Sequence, residues 1–197
     1  TKEELKKAVC EAIEKRFDDI KAFGESIFAT GIGNKEYKTS AKVKEAFDKL
    51  GISYTDGWGI NGVKGRMKGT KSDRTVAVFG ELDAWSAAII PAPTNDGSGA
   101  LLRHYVQMAN LMAVAMALHD TDAMKYLGGD VVLFAVPAEE CIEIEYRNSL
   151  RNKGKIHFLG GKEEIFTSGF DDIDAAMQMH VTTTDDPQGE IQLGSPC

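Results

Sequence analysis

Two adjacent carboxylates, Glu139 and Glu140, directly follow a run of strand-forming residues in "GGDVVLFAVPAEEC" (128–141). Like charges repel each other, and ionised carboxylates are costly to place near a core. Two interpretations are open at this point. The pair is either the solvated start of a loop, or one carboxylate binds a divalent cation while its neighbour accepts a proton from a water molecule whose pKa the cation lowers toward ~7.

Three other residues could take part in such chemistry, although each also has a plain structural explanation. Asp83 in "GELDAW" could simply cap the following turn. His104 shares a helix face with Met108 and Leu111, which is typical of a packed, hydrogen-bonded histidine. His180 ends "AAMQMH", an apolar segment that we expect to be mostly buried, where a histidine is more often a core residue than a ligand.

The elements that must position these residues follow from hydrophobic periodicity and from helix and turn signals. Thr39 or Ser40 is expected to cap the second helix, and Gly51 to end it. The predicted elements are helices at 3–23, 39–51 and 99–119, short strands within 53–69, and single strands at 73–85, 128–137 and 172–181.

The order strand, long helix, strand predicts an α/β fold with a mostly parallel, mixed sheet between two layers of helices. The runs "TVAVFG" and "VVLFAV" are apolar without alternation, as expected for strands covered on both faces. Active-site groups in such folds lie just beyond the carboxyl ends of the strands. Asp83, the Glu139–Glu140 pair and His180 all have that position, so we expect them to meet at one edge of the sheet.

Composition excludes several classes of function. The 197 residues are 43% hydrophobic and 27% charged, which suits one globular domain or at most two small ones. A net charge of −7 argues against nucleic acid as a partner, and no apolar run approaches the ~20 residues of a membrane span. The three cysteines, Cys10, Cys141 and Cys197, form no evident disulfide framework, so the expected location is the cytoplasm.

Four separated motifs resemble the M20 metallopeptidase family, in particular its amidohydrolase/aminoacylase branch of aminobenzoyl-glutamate hydrolase-like proteins. The motifs are "EYKTSAKVKEAFDKLGI" (36–52), "GELDAW", "FAVPAEE" and "MQMH". The resemblance implies a zinc-exopeptidase-like fold and a metal-dependent amidohydrolase. Its partner would be a small-molecule amide substrate, an N-acyl amino acid or small peptide-like conjugate, cleaved by metal-activated water with Zn²⁺ or Mn²⁺ as the cofactor.

The resemblance also implies roles for individual residues. Glu139 corresponds to the catalytic general base, and Asp83 to an acidic residue that assists beside the metal. The implied metal ligands are His104, Glu140 and His180. Leu102 falls where this branch has a cysteine ligand, so we expect weak metal occupancy and impaired activity.

The resemblance further implies that 1–197 are the first segment of a catalytic domain, because "IQLGSPC" lies where the family passes into a lid or dimerisation domain. The lid and the C-terminal part of the catalytic domain would then be absent and the fold incomplete. An open sheet edge would favour a homo-oligomer. The alternative is a non-catalytic or truncated relative that keeps the fold and acts as a binding or assembly protein.

Overall fold

The computed structural model describes residues 1–27, 35–83, 104–140 and 142–180. Within these residues, no helix is both long enough and apolar enough to cross a membrane. The helices are α1 (Lys2–Lys15), α2 (Phe17–Ser26), α3 (Tyr37–Lys49), α4 (His104–Asp120), α5 (Ile144–Asn152) and α6 (Gly161–Phe166), with a short 3₁₀ helix at Ala123–Tyr126. The strands are β1 (Ser53–Trp58), β2 (Gly62–Met67), β3 (Thr75–Glu81), β4 (Asp130–Val136) and β5 (Ala175–Gln178).

The five strands form one mixed sheet in the order β1-β2-β4-β3-β5. Strand β3 lies between β4 and β5 and is parallel to both, with Val76 opposite Val131 on one side and Ala175 on the other. Strand β2 runs antiparallel to β4 and forms a hairpin with β1. The predicted α/β class is therefore confirmed, and the carboxyl ends of β3, β4 and β5 lie side by side.

One face of the sheet is covered by α3 and α4. Phe47 of α3 and Leu111 of α4 are fully buried against Leu133 of β4. Gly80 of β3 permits the close approach of α4, because a Cβ there would lie 3.0 Å from the carbonyl oxygen of Gln107. This contact brings the first turn of α4 next to the end of β3.

The opposite face is covered by α6 and the segment that follows it. Ile165 of α6 packs with Val132 and Phe134 of β4, and the ring of Phe170 stacks on Phe134 at a centroid distance of 5.7 Å. The sheet therefore lies between two helical layers, as predicted. The sequence did not indicate α5 or α6, because both are short and lie in a polar stretch.

The expected helix at 3–23 is two helices, so this prediction was wrong in one respect. Helix α1 ends at Lys15 and α2 begins at Phe17. Between them, the Arg16 guanidinium donates from Nε to Asp120 Oδ2 and from Nη1 to Asp19 Oδ2, each over 2.7 Å. Arg16 thus ties the helix junction to the last residue of α4.

The start of α3 also differs from the prediction. The helix begins at Tyr37 after Glu36, and Thr39 and Ser40 are buried inside its first turns instead of capping it. Gly51 follows the helix at φ +63°, the left-handed conformation that commonly terminates helices, as predicted.

Strand β5 is exposed, whereas its apolar sequence predicted burial. Met177 and Met179 are 57% and 46% exposed, and His180 is exposed as well. The reason is its position at the edge of the sheet, where no described strand pairs with its outer side.

Candidate metal centre

The candidate site lies at the carboxyl ends of the parallel strands. Glu81 is the last residue of β3, and Leu82 N–H donates to Val136 O over 2.8 Å, which extends the pairing of β3 with β4. Asp83 follows on the β3 side. Glu139 and Glu140 follow β4, His180 follows β5, and His104 is the first residue of α4.

The His104 ring is the centre of this cluster. Its Nε2 lies 3.1 Å from Glu81 Oε2, 3.5 Å from Glu140 Oε1 and 3.9 Å from Glu139 Oε2. Its Nδ1 lies 2.9 Å from the carbonyl oxygen of Asp83 and 3.2 Å from Asp83 Oδ1. The ring therefore presents Nε2 to three carboxylates while Asp83 holds the opposite nitrogen.

Two overlapping groups of side chains could hold a metal ion. Glu81, His104 and His180 form one group, and His104, Glu139 and Glu140 form the other. Within each, the potential ligand atoms lie within 4.8 Å of one another. His104 is common to both groups. The expected ligands Glu140 and His180 each share a group with His104, but they do not share a group with each other. Imidazole nitrogens and carboxylate oxygens suit Zn²⁺ and Mn²⁺, so the donor set fits such an ion.

Asp83 belongs to neither group. It contacts the Nδ1 side of the His104 ring and the backbone of Glu140. Besides its contacts to His104, its Oδ2 accepts a hydrogen bond from Glu140 N–H over 2.9 Å. A carboxylate behind a ligating histidine fixes the orientation of the ring and raises its basicity. Asp83 is therefore placed to orient His104 and the backbone of Glu140.

The carboxylates govern the charge of His104. Burial alone would lower the pKa of His104, but Asp83, Glu81 and Glu139 outweigh it and raise that pKa to about 9. Without a cation, the ring is therefore protonated at neutral pH. The cluster attracts positive charge strongly enough to retain a proton in a buried position.

The pKa values of Glu139 and Glu81 are shifted in opposite directions. Burial and the charge of Glu81 raise the pKa of Glu139, although Lys162 opposes them. Burial also acts to raise the pKa of Glu81, but hydrogen bonds from Lys162 and Gln178 overcome it and lower that pKa. Glu139 is thus the carboxylate better suited to accept a proton near neutral pH.

Sequence reasoning missed two residues of the cluster. Glu81 is only 1% exposed and accepts hydrogen bonds from Gln107 and Gln178. It could have been found, since it ends a buried strand within the same "GELDAW" stretch as Asp83. Lys162 of α6, whose Nζ lies 2.7 Å from Glu81 Oε1 and 3.1 Å from Glu139 Oε1, gives no comparable signal in "GGKEEIF".

Buried groups hold the backbone that presents the glutamate pair. Ala138 has a left-handed conformation at φ +52°, and its N–H donates to Glu36 Oε1 over 3.2 Å. Glu36 is fully buried and also accepts from Asn61 Nδ2 over 2.8 Å. On the other side, the buried Arg147 of α5 donates to the carbonyl oxygen of Glu140.

The expected loss of a cysteine ligand concerns Leu102. This residue lies outside the described residues, as does the whole of 84–103. Leu102 therefore remains a prediction from the sequence.

No family model matches the chain. Among curated proteins, it is 28% identical over 152 residues to thermostable carboxypeptidase 1 of Saccharolobus solfataricus, and 29% identical over 153 residues to thermostable carboxypeptidase 2 of the same organism. Each alignment covers 76% of this chain and 35% of the relative. The chain thus spans about a third of the length of the curated relatives it matches.

Three solved structures share its fold. A dinuclear metal-binding peptidase of the M20 family from Bacillus subtilis matches at a TM-score of 0.65 and 19% identity, over 87% of this chain and 44% of its own. A putative aminohydrolase from methicillin-resistant Staphylococcus aureus matches at a TM-score of 0.69 and 19% identity, over 89% of this chain and 42% of its own. The aminobenzoyl-glutamate utilization protein from Klebsiella pneumoniae matches at a TM-score of 0.66 and 16% identity, over 89% of this chain and 46% of its own.

The chain therefore has the α/β fold found in M20-family peptidases and aminohydrolases. The resemblance predicted from the four sequence motifs is confirmed by these structural neighbours, over a part of their length.

Proposed function

We propose that this chain contributes the metal-binding part of a metal-dependent amidohydrolase of the M20 type. The observation that carries the proposal is the convergence of His104, Glu139 and Glu140 at the ends of parallel strands, with their potential ligand atoms within 4.8 Å of one another. The substrate class would be an N-acyl amino acid or a small peptide-like conjugate. The peptidase, carboxypeptidase and aminohydrolase names of the similar proteins support this class.

His104, Glu140 and His180 are the proposed ligands of a divalent ion, with Zn²⁺ or Mn²⁺ as the proposed metal. In support, His104 shares one group with Glu140 and the other group with His180. When bound, such an ion polarises a carbonyl group and lowers the pKa of a water molecule. Asp83 would keep the His104 ring oriented through its contacts to Nδ1. The proton now on His104 would leave as the ion binds, since a ligating imidazole must be neutral.

Glu139 would serve as the general base. Its carboxylate adjoins the proposed ligands, and its raised pKa brings its proton affinity closer to that required of a base at neutral pH. A proton taken from water at Glu139 could then pass to the amine that leaves. Lys162 stabilises the ionised form of Glu139 before the first of these events and after the second.

Residues 1–197 are proposed as the first segment of a metallopeptidase catalytic domain. The share of the relatives that the chain covers, from 35% to 47%, supports a partial domain. A lid or dimerisation domain and the C-terminal part of the catalytic domain would lie outside these residues. Substrate turnover by the 197-residue chain is therefore expected to be weak.

A second candidate is a non-catalytic protein that keeps the fold and acts in binding or assembly. Two observations favour it. Leu102 lies where the resemblance implies a cysteine ligand, and the ammonium group of Lys162 already neutralises part of the acidic cluster. In this case the carboxylates would serve the stability of the fold alone.

Metal content and turnover of an N-acetyl amino acid, measured on the same preparation, separate these two functions. Glu139→Gln should retain bound Zn²⁺ while reducing turnover by about 10²- to 10⁴-fold, the usual contribution of a general base. Glu140→Gln should lose metal as well as turnover. Glu145→Gln, at an exposed position on α5, is the matched control and should change neither.

Full turnover by Glu139→Gln would contradict its assignment as the base. Absence of both bound metal and turnover in the unmodified chain would favour the binding or assembly function.

A further inference from the structure

Lys162 occupies an unusual position for a lysine at the surface of a domain. Its Nζ lies between Glu81 Oε1 and Glu139 Oε1, at 2.7 Å and 3.1 Å, and its side chain is only 31% exposed. An exposed lysine–glutamate pair would contribute little to the structure. Here, however, Glu81 is buried and both carboxylates belong to the proposed metal centre.

The local backbone fixes Lys162 in this position. The preceding Gly161 N–H donates to Ala138 O over 2.9 Å, so the first turn of α6 is attached to the loop that carries Glu139. A Cβ at residue 161 would lie 1.6 Å from the carbonyl oxygen of Pro137, which only glycine avoids. The close contact between α6 and this loop therefore directs the side chain of the next residue toward the acidic cluster.

The two carboxylate oxygens of Glu81 contact different sides of the cluster, one toward His104 and the other toward Lys162. Oε2 faces His104 Nε2 and accepts from Gln107, whereas Oε1 accepts from Lys162 and Gln178. The side of Glu81 toward His104 is where one divalent ion would bind. The other side, shared with Glu139 Oε1, already holds a positive charge.

We propose that the Lys162 ammonium takes the place of a second cation, so that this chain holds one divalent ion and not two. This inference rests on the proposed function, since it concerns the same metal centre. Two cations a few ångströms apart require carboxylate oxygens between them to offset their repulsion. Lys162 takes up the oxygens of Glu81 and Glu139 that would do so, and it adds a repulsive charge of its own.

The test is the number of tightly bound Zn²⁺ ions per chain, measured by elemental analysis after gel filtration and by calorimetric titration. The unmodified chain should bind one ion. Lys162→Met should bind two, with affinity for the second ion increased by roughly tenfold or more, the scale expected from removing one unit charge at this distance in a protein. Lys162→Arg keeps the charge and should still bind one ion.

Lys44→Met is the matched control. Lys44 has a side chain 33% exposed and an ion pair to Asp56 over 2.8 Å, but it lies on α3 away from the cluster. The Lys44→Met variant should bind one ion, as the unmodified chain does. If Lys162→Met does not fold, Lys162→Gln, which removes the charge but retains a donor toward Glu81, replaces it.

Two ions in the unmodified chain, or one ion in folded Lys162→Met, would overturn this inference and leave the proposed hydrolase function standing. No bound ion in the unmodified chain would overturn both.

Discussion

Single residues behind the metal centre determine where its glutamates lie. The buried carboxylate of Glu36 accepts a hydrogen bond from the N–H of Ala138, which has a left-handed conformation. The next residue along the chain is Glu139. The position of the proposed base therefore depends on an acidic residue that is 102 positions away from that N–H.

Glu36→Leu tests this dependence. A leucine is close to glutamate in size but offers no acceptor to Ala138 N–H or Asn61 Nδ2. A buried donor is left without its partner, so the free energy of unfolding should fall by about 1–3 kcal/mol. The measurement is the midpoint of urea-induced unfolding, and the dependence of the unfolding free energy on urea concentration should stay unchanged.

The control is Glu45→Gln on the exposed face of α3. Glu45 pairs with Lys49 over 2.7 Å on the exposed surface, so its loss should change stability much less than Glu36→Leu does. Equal effects of the two substitutions would show that Glu36 is not a structural acceptor.

The order of elements was enough to predict that Asp83, Glu139, Glu140 and His180 lie at one edge of the sheet, because residues that follow parallel strands converge there. His104 was added only by the family resemblance, and not all neighbours of these residues could be predicted. Lys162 comes from a six-residue helix whose position depends on the contact between Gly161 and Pro137. No local pattern encodes such a contact, and the cation in the cluster could therefore not be foreseen.

At the scale of elements, the break between α1 and α2 shows how a charged residue can end one helix and orient the next. Hydrophobic spacing continues through 3–23 and predicts a single helix. Arg16 interrupts it because its guanidinium bonds to Asp120 at the end of α4. Beyond the break, Gly24 of α2 lies close to Ala109 of α4. A tertiary ion pair has overridden a local pattern.

Asp120→Asn should destabilise the chain in a pH-dependent manner. Hydrogen bonds from Arg16 lower the pKa of the Asp120 carboxyl from 3.8 to about 2. A lowered folded-state pKa stabilises the fold above the unfolded value, and this stabilisation is lost as pH falls through the folded value. At pH 7 the substitution should cost about 1 kcal/mol, because the pair is partly open to water.

The difference in unfolding free energy between Asp120→Asn and the unmodified chain should shrink as pH falls from about 4 to 2. Urea unfolding at several pH values measures it. Asp171→Asn, at an exposed position, serves as the control and should show a much smaller difference at pH 7. A constant difference across the acid range would exclude the Arg16–Asp120 pair as its cause.

For the whole molecule, the exposed edge at β5 is the main structural liability. The apolar-then-polar pattern of 172–181 predicted a strand there, and this was correct. The sequence could not show which strand would lie at the edge, because strand order depends on pairing between distant segments. Among the described residues, β5 pairs only with β3, and Met177 and Met179 are exposed beside its free side.

We expect the chain to self-associate through this edge, as unpaired strands with apolar side chains do. Met177→Lys should reduce the association, since lysine on an edge strand opposes pairing with another chain. Sedimentation velocity over a range of concentrations measures the effect. Tyr126→Lys, at an exposed aromatic residue away from the sheet, should leave the association unchanged. A monomer at every concentration would contradict this expectation for the unmodified chain.

The pairing of β3 with β5 also has a consequence for biosynthesis. Thr75 N–H at the start of β3 donates to Oδ2 of Asp174, the residue that precedes β5, across 99 residues of chain. A ribosome adds these residues in roughly 5 to 20 s, during which β3 has been made but one of its neighbours has not. Contacts of such long range also form slowly in the finished chain. We therefore expect one side of β3 to be unpaired during this interval, and the yield of the chain in a cell to rise with the availability of chaperones.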